Sequence, residues 1–323
     1  MVKNFLPLCL SIVGFTAAFV VTTSEPNDFS YPAVKTAVEF VESLVVSKAD
    51  AKPIDKKVRI VSLGGALTET VIALGHADKI VGVDTTSVYP PNVVKNFARV
   101  GYVRQLSAEG ILSLEPELII STNHAGPKMA VEQIKKSGVK FEEFSSEYSV
   151  EGTKSYIKRL GEVLGAEPKA TEMVGAIDTG IAKAKEVSKS FKRKPKVLFI
   201  YARGARVLNI SGHTTSAHAM IELAGAQNAF GDVDGFKPMT SEAVVAAAPD
   251  AILMLSRGVD SIGGDAKILD LPGIALTPAG KNKALIVMDD LKLLGFGPRL
   301  GDAVLELTNK LKSHLETSEA KSN

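Results

Sequence analysis

Short apolar runs alternate with amphipathic segments along most of the chain, a pattern typical of α/β folds. The run Arg59–Leu63 ends in Gly64-Gly65 and is followed by an amphipathic segment, Thr68–Gly75, and a second run, Lys79–Asp84. A strand, a glycine turn, a helix and a strand form a βαβ unit with parallel strands. The paired glycines lack the spacing of a nucleotide-phosphate loop, so we interpret them as a close backbone turn at a cleft.

One pattern of elements occurs twice. Ser107–Ser121 and Thr240–Met254 each combine a short helix, a proline-marked turn and a buried strand, with the same interval from glutamate to proline. The first strand and helix also recur, as Lys196–Ile200 and Ala219–Gly225. Repeats of this length indicate two similar α/β lobes, because the periods of solenoid proteins are much shorter.

The segment between the lobes, from Ser149 to Arg193, carries no strand signal. Glu167-Pro168 is typical of a helix start. An apolar stripe at helical spacing follows, formed by Met173, Ile177, Ile181, Ala184 and Val187. We therefore expect an α/β fold with two similar lobes, central mostly parallel sheets, a long connecting α-helix and a ligand cleft between the lobes. A final helix is predicted over Asp302–His314, followed by a polar tail.

The beginning of the chain has the pattern of an export signal. Met1–Asn4 carries a positive charge and precedes the apolar run Phe5–Val21, which indicates either a cleaved signal peptide or an uncleaved membrane anchor. The only cysteine, Cys9, lies in this run, so the mature protein is expected to have no disulfide. The predicted divisions are a signal or anchor (1–24), an N-terminal extension (25–56), an N-terminal lobe (57–148), a connecting helical segment (149–194), a C-terminal lobe (195–316) and a tail (317–323).

Composition changes this picture little. The chain has 323 residues, of which 45% are hydrophobic and 23% charged, enough for two domains with buried cores. Its 38 basic and 36 acidic residues nearly balance, which argues against a general nucleic-acid binder.

The densest candidate chemistry lies in the segment Val100–Gly110, between a proline-marked loop and an apolar run. It places a phenol (Tyr102), a guanidinium (Arg104) and a carboxylate (Glu109) in exposed loop or helix-start positions, where functional residues concentrate. The predicted strand that contains Phe199–Ala202 ends on Arg203 and Gly204. Ligands bind beyond the carboxyl ends of parallel strands, so Arg203 is a candidate cleft cation.

Five segments carry a family resemblance: Arg59–Gly65, Asp84–Ser87 with Tyr89-Pro90, Val100–Gly110, Ala202–Gly204 and Leu294–Arg299. They resemble the haem-binding substrate-binding proteins of bacterial haem ABC transporters, whose two-lobe fold has a rigid helical backbone. The resemblance implies that Tyr102 is the axial ligand of haem iron and that Arg104 and Arg203 contact the propionates. It also implies that Glu109 and Glu242, one on each lobe, dock on arginines of the membrane permease.

The chemistry is consistent with this resemblance. A phenolate is a hard anionic ligand that suits ferric iron, and tyrosine ligation of haem has precedent. A free phenol titrates near ~10, so a nearby cation must favour its deprotonated form. Arg104 can supply that charge, or it can pair with a propionate.

Each assignment has a plainer alternative. Tyr102 could be a half-buried aromatic residue, Arg104 and Arg203 surface ion-pair partners, and Glu109 and Glu242 first-turn residues favoured by the helix dipole. Two histidines, His124 and His213, are candidates for a second haem ligand because both lie in loops expected near the cleft. The other three, His76, His218 and His314, are expected to be structural or exposed.

The expected function is therefore that of an exported, periplasmic, monomeric haem carrier with no catalytic activity. Its partners would be haem and an ABC permease dimer, with no nucleic acid and with membrane contact only through the permease or an anchor. Cobalamin or ferric-siderophore carriers share the predicted fold and are the first alternative. A metal-handling enzyme is disfavoured because no nucleophile-base set, cysteine cluster or HxxxH pair is present. A structural or adhesive surface protein would bind no small molecule.

Overall fold

The computed structural model describes residues 58–322. The predicted signal peptide or anchor, the N-terminal extension and Cys9 lie outside the described residues. Within the described part of the chain, no helix combines the length and the apolar character needed to cross a membrane.

The N-terminal lobe is built on a five-stranded sheet. Its strands are β1 (Ile60–Leu63), β2 (Ile80–Val83), β3 (Ala98–Arg99), β4 (Leu118–Thr122) and β5 (Lys140–Phe144). They lie in the order β3-β2-β1-β4-β5, and each is parallel to its neighbours. The order reverses between β1 and β4, which opens a crevice at their carboxyl ends. The helices of this lobe are α1 (Gly65–Ala73), α2 (Pro91–Val94), α3 (Ala108–Leu112) and α4 (Lys128–Lys136), with a 3₁₀ turn at Ala77–Lys79.

The C-terminal lobe has a six-stranded mixed sheet. Its strands are β6 (Lys196–Ala202), β7 (Leu208–Ser211), β8 (Gln227–Asn228), β9 (Phe236–Pro238), β10 (Ala251–Leu255) and β11 (Leu285–Met288). The order is β11-β10-β6-β7-β9, and β8 also pairs with β6. Its helices are α7 (Ser216–Leu223), α8 (Ser241–Ala247), α9 (Ser256–Ile262), α10 (Asp265–Leu269), α11 (Pro278–Asn282) and α12 (Asp290–Leu294), with a 3₁₀ turn at Ile274–Leu276.

This sheet departs from a purely parallel arrangement at β7. The chain reverses directly after β6, where Gly204 has a positive φ of 71° and the Arg203 N–H donates to the Val207 carbonyl at 3.0 Å. A short turn of this kind joins antiparallel strands, whereas a parallel connection needs a longer crossover. The pairs β6/β7 and β7/β9 are antiparallel, and β6/β8, β6/β10 and β10/β11 are parallel.

The predicted connecting segment contains two helices, α5 (Val150–Leu164) and α6 (Glu167–Ser188), separated at Gly165, which adopts a left-handed conformation. Glycine at this position ends a helix without steric cost. The longer helix, α6, is the predicted connecting helix. Its predicted apolar stripe is buried at Met173, Ile177, Ile181 and Ala184, and Val187 is half-buried.

The last helix, α13 (Leu300–Ser322), packs along α6. It begins slightly before the predicted start at Asp302 and continues beyond the predicted end at His314, into the predicted tail. Residues after His314 include good helix formers, and the ion pair between Lys312 and Glu316 (3.8 Å) supports the extension.

One hydrophobic core joins the two lobes. It contains Ile60 and Leu118 of the first sheet, Phe199 and Leu253 of the second, and Leu307 of α13. Because these residues belong to one contiguous cluster, the lobes are held by shared packing as well as by the connecting chain. The expectation of two α/β lobes joined by a long helix is confirmed.

Candidate functional site

A cavity of about 840 Å³ lies between the lobes, at the carboxyl ends of strands from both sheets. Its wall includes residues that end or follow β1, β4 and β5 of the N-terminal lobe and β6 and β10 of the C-terminal lobe. Ligands bind at this edge of open parallel sheets, and the volume suits a cofactor-sized molecule. The predicted interlobe cleft is confirmed.

Tyr102 lies on this wall, in the loop between β3 and α3. The preceding Gly101 has a φ of 94°, which turns the chain toward the cavity, and its carbonyl accepts from the Thr85 N–H at 2.8 Å. The next residue, Val103, is buried and anchors the loop in the lobe. Tyr102 itself is 38% exposed, so its phenol is accessible to a ligand.

The loop that carries His124 is bonded to the Tyr102 loop through the backbone. The Leu106 N–H donates to the Gly126 carbonyl at 2.7 Å, and the Gly126 N–H donates to the Val103 carbonyl at 2.9 Å. These two bonds tie together segments that are distant in sequence. Arg104 and His124 both line the cavity, so the N-terminal lobe brings a phenol, a guanidinium and an imidazole to one wall.

The paired glycines at the end of β1 shape the adjoining edge of the cavity. The Gly64 N–H donates to Asp84 Oδ1 at 2.9 Å, and the Gly65 N–H donates to Thr86 Oγ1 at 2.8 Å. A Cβ at Gly65 would lie 2.4 Å from the Thr86 carbonyl oxygen, so only glycine fits there. The buried Asp84 carboxylate also accepts from the Ser87 hydroxyl at 2.8 Å. The predicted close backbone turn is confirmed.

The wall of the C-terminal lobe carries Arg203, as predicted, and two residues that sequence reasoning missed, Tyr201 and Arg257. Arg203 Nε donates to the Tyr201 hydroxyl oxygen at 2.8 Å, and its guanidinium carbon lies 5.6 Å from the centre of the Tyr201 ring. Arg257 follows β10, at the start of α9. A signal for Arg257 was present, because the spacing that relates Glu109 to Glu242 also relates His124 to Arg257.

Aromatic side chains close another part of the cavity. The rings of Tyr148 and Phe296 are 5.6 Å apart, and the Tyr156 hydroxyl donates to the Phe296 carbonyl at 3.0 Å. Burial raises the pKa of Tyr156 above its ordinary value, and a hydrogen bond with Thr70 offsets this only in part. Tyr156 is therefore a neutral hydrogen-bond donor at physiological pH and contributes no phenolate to the cavity.

The structure does not bring His213 to the cavity wall. Its backbone N–H donates to the Val233 carbonyl at 2.7 Å, and its Nε2 lies 3.7 Å from Oδ1 of Asp234. The turn after β7 directs the chain into these contacts. Of the two candidate histidines, only His124 lines the cavity.

Glu109 and Glu242 occupy equivalent positions in their helices, as the repeat predicts. Each is the second residue of a short helix whose N-terminus is capped, by Ser107 Oγ (3.2 Å) in α3 and by Thr240 Oγ1 (3.3 Å) in α8. Both glutamates are exposed, and within residues 58–322 neither carboxylate forms an ion pair. Both are therefore free to contact another molecule.

Arginines line the cavity on both sides, and the lining also includes the acidic residues Glu147 and Asp290. Within the described chain, the guanidinium groups of Arg104 and Arg257 have no carboxylate partner, and Arg203 is bonded only to a tyrosine. No group of three or more His, Cys, Asp and Glu residues in the described part of the chain is arranged to hold a bare metal ion. The arrangement suits an anionic molecule with an aromatic surface and a centre that accepts a phenolate ligand.

Comparisons with known proteins are consistent with this geometry. The periplasmic heme-binding protein RhuT from Roseiflexus sp. RS-1, in apo form, is 39% identical, with a TM-score of 0.77 over 80% of this chain and 99% of that chain. The uncharacterized ABC transporter substrate-binding lipoprotein YvrC of Bacillus subtilis (strain 168) is 30% identical over 257 residues, 78% of this chain and 79% of the relative. A vitamin B12-binding protein of Yersinia pseudotuberculosis is 24% identical over 225 residues, 69% of this chain and 77% of the relative.

A model of one family also matches the chain directly, over residues 60–291. This match runs from β1 to the start of α12 and includes every strand of both sheets. The chain belongs to the periplasmic binding protein family.

Proposed function

We propose that this protein binds haem in the interlobe cavity and delivers it to an ABC importer. One observation carries the proposal: Tyr102 stands on the wall of a cavity of about 840 Å³ that also holds three arginines without carboxylate partners. Ferric haem combines an iron that accepts a phenolate with a flat aromatic ring and two carboxylates. Each of these features has a counterpart in the cavity.

Tyr102 is the residue that ligates the iron, with Arg104 and His124 beside it on the same wall. A phenolate needs a neighbouring positive charge, because the free phenol is protonated at neutral pH. Ferric iron and the Arg104 guanidinium both supply positive charge. His124 is in place to act as a second ligand, and the aromatic side chains of Tyr148 and Phe296 offer a surface for the porphyrin.

The comparisons support this ligand over its main rival. RhuT, described as heme-binding, is 39% identical to this chain, whereas the vitamin B12-binding protein from Yersinia is 24% identical. A cobalamin carrier is the second candidate because of that relative. Cobalamin lacks free carboxylates, so three cavity arginines without carboxylate partners favour haem.

Delivery to an importer rests on Glu109 and Glu242. Both are exposed, both lack ion-pair partners within the described chain, and they lie at matching places on the two lobes. Two matched carboxylates give a two-point contact with a permease dimer, which sets the orientation of the encounter. The protein acts outside the cytoplasm as a monomeric carrier and catalyses no reaction. The relative YvrC is named as an ABC transporter substrate-binding lipoprotein, which supports an ABC permease as the partner.

Hemin titration of wild-type protein and of Tyr102→Phe tests the proposal. We expect a Soret band in the wild type, and in Tyr102→Phe a shifted band with affinity weaker by about tenfold or more, ~1.4 kcal/mol, because the iron ligand is lost. Tyr148→Phe is the matched control, since Tyr148 lines the same cavity and is similarly exposed, 37% against 38%. An unchanged spectrum and affinity in Tyr102→Phe, or tighter binding of cyanocobalamin than of hemin, would contradict the proposal.

A further inference from the structure

Some large apolar side chains are exposed in residues 58–322, and several of them belong to the cavity or stack on another side chain: Tyr89, Tyr102, Tyr148 and Phe236. The two most exposed, Met129 at 73% and Leu276 at 66%, do not line the cavity. Single exposed apolar residues are ordinary on a protein surface, so their location decides whether they have a function. Both lie beside a candidate docking helix.

Met129 lies next to the helix of Glu109 in the N-terminal lobe. The Leu106 N–H donates to the Gly126 carbonyl at 2.7 Å, and helices α3 and α4 each begin two residues after this bond and pack together. Glu109 is the second residue of α3 and Met129 is the second residue of α4, and both are exposed. The buried residues of the two helices form one apolar cluster: Ala108, Ile111, Ala130 and Ile134.

Leu276 lies next to the helix of Glu242 in the C-terminal lobe. It ends the 3₁₀ turn Ile274–Leu276, which packs on α8. A Cβ added at Gly273, just before this turn, would lie 2.7 Å from the carbonyl oxygen of Ser241, the first residue of α8. The Leu276 N–H donates to the Gly273 carbonyl at 3.3 Å, which holds the backbone of the turn. Leu276 is therefore an exposed residue on an element that packs against the start of α8.

Each lobe thus presents an exposed carboxylate and an exposed apolar side chain on elements that pack together. Within the described chain, neither Glu109 nor Glu242 forms an ion pair. Such a surface fits a protein that offers a cation next to an apolar pocket, and the carboxylates disfavour an anionic lipid surface. In protein interfaces, apolar side chains that fill pockets supply much of the binding free energy.

We propose that Met129 and Leu276 are apolar docking residues, one on each lobe, that enter pockets of the permease dimer beside the contacts of Glu109 and Glu242. This inference rests on the proposed delivery to an ABC importer. The glutamates act at a distance and favour a correctly oriented encounter. The apolar docking residues act only after contact, when their surface leaves water, so they slow dissociation.

Dissociation rates at several salt concentrations test this division. Wild type and Met129→Gln/Leu276→Gln, both loaded with hemin, are bound to the permease dimer in nanodiscs. We expect the double variant to dissociate faster by about tenfold or more and to associate within about twofold of the wild-type rate. The dependence of association on salt should stay that of wild type, because the substitutions remove no charge.

Met129→Leu/Leu276→Met is the matched control, because it changes the same two positions and keeps both apolar. We expect it to dissociate at the wild-type rate. Hemin affinity should be unchanged in both double variants, since neither residue lines the cavity. An unchanged dissociation rate in the glutamine variant, or an equal increase in the control, overturns this inference alone. A wild-type protein that does not bind the permease overturns the proposed delivery as well.

Discussion

At the scale of single residues, burial decides what each tyrosine of the cavity can do. Tyr102 is 38% exposed at the cavity wall, whereas the Tyr156 hydroxyl is taken up by the Phe296 carbonyl at 3.0 Å and its pKa is raised by burial. The same side chain therefore serves as a candidate iron ligand in one place and as a structural donor in the other. Sequence alone does not separate them, because burial depends on tertiary packing and not on the type of residue.

The buried pair of Glu69 and Arg299 shows the same dependence on environment. Glu69 is only 4% exposed, and its Oε2 accepts from Arg299 at 2.9 Å. Burial raises the pKa of Glu69 more than the hydrogen bond and charge of Arg299 lower it. Arg299 also stacks on Tyr89, with 3.7 Å between the guanidinium carbon and the ring centre. The pair joins the start of α13 to α1 of the N-terminal lobe.

Replacing Arg299 by Met should destabilise the protein in a pH-dependent manner. At pH 7 the buried Glu69 carboxylate would lack its cation, at a cost of roughly 3 kcal/mol. A carboxyl whose pKa is raised in the folded state contributes stability below its unfolded pKa and loses it as pH rises through the folded pKa. The loss of stability in Arg299→Met relative to wild type should therefore shrink as pH falls toward ~4. Urea unfolding at several pH values measures it.

Glu69→Gln in the Arg299→Met background provides the control for that experiment. The amide carries no charge at any pH, so the difference in stability between Glu69→Gln and the double variant should not change with pH. An equal deficit of Arg299→Met at pH 7 and at about pH 4 would show that lost packing on Tyr89, and not the buried charge, causes the destabilisation.

At the scale of elements, the long helices α6 and α13 approach unusually closely at two glycines. A Cβ added at Gly180 would lie 2.5 Å from the Gly301 carbonyl carbon, and one added at Gly301 would lie 2.8 Å from the Ile177 carbonyl oxygen. Backbone stands directly against backbone at this crossing. The apolar stripe predicted the buried face of α6, but it did not predict the helix that packs there or the distance between them.

Gly180→Ala and Gly175→Ala should have opposite effects on stability. Alanine at Gly180 meets rigid backbone, and we expect a loss of about 1–3 kcal/mol from overpacking. Gly175 lies on the exposed side of the same helix with no atom within 4 Å, and alanine there should stabilise the protein by about 0.5–1 kcal/mol through helix propensity. Chemical unfolding measures both; equal effects would show that α6 and α13 separate at little cost.

At the scale of the whole molecule, the two units of the internal repeat agree in backbone conformation and hydrogen bonding as well as in residue type. Glu115 and Ala248, at equivalent places after α3 and α8, are both left-handed, with φ of 47° and 46°. Two residues later, each lobe has a carboxylate that accepts a backbone N–H at the start of its central strand. The distance is 3.0 Å for Glu117 and 2.8 Å for Asp250. The two candidate docking helices are therefore held in matching local frames.

Replacing both candidate docking residues, in Glu109→Gln/Glu242→Gln, should abolish productive docking without affecting the ligand. We expect hemin affinity to stay within about twofold of wild type, and binding to the permease dimer in nanodiscs to weaken by about tenfold or more, ~1.4 kcal/mol. The single variants should have intermediate effects if both contacts are made together.

Glu151→Gln is the matched control for the docking experiment. Glu151 is likewise exposed and second in a serine-capped helix, α5, but it pairs with Lys154 at 3.3 Å and lies outside the repeat. Permease binding that falls equally in this control would show an effect of net charge, and unchanged binding in the double variant would exclude the two glutamates from docking.

The sequence by itself determined the elements, the two-lobe repeat and part of the site. Apolar periodicity and proline-marked turns act within a few positions, so they identified β1, β6, the buried face of α6 and the short helices of Glu109 and Glu242. Because Arg203 comes at the end of a predicted strand, the sequence predicted that it lies at the cleft, and it lines the cavity. The assignments of Tyr102 and Arg104 depended on a family resemblance, and their roles stay predictions.

Only the tertiary structure decided which loops meet. Backbone bonds between Leu106, Gly126 and Val103 join the loops of His124 and Tyr102, whereas the turn after β7 leaves His213 outside the cavity. Arg257 reaches the cavity because β10 lies next to β6. Strand order and loop contacts are set by packing between residues far apart in the chain, and local patterns carry no record of them.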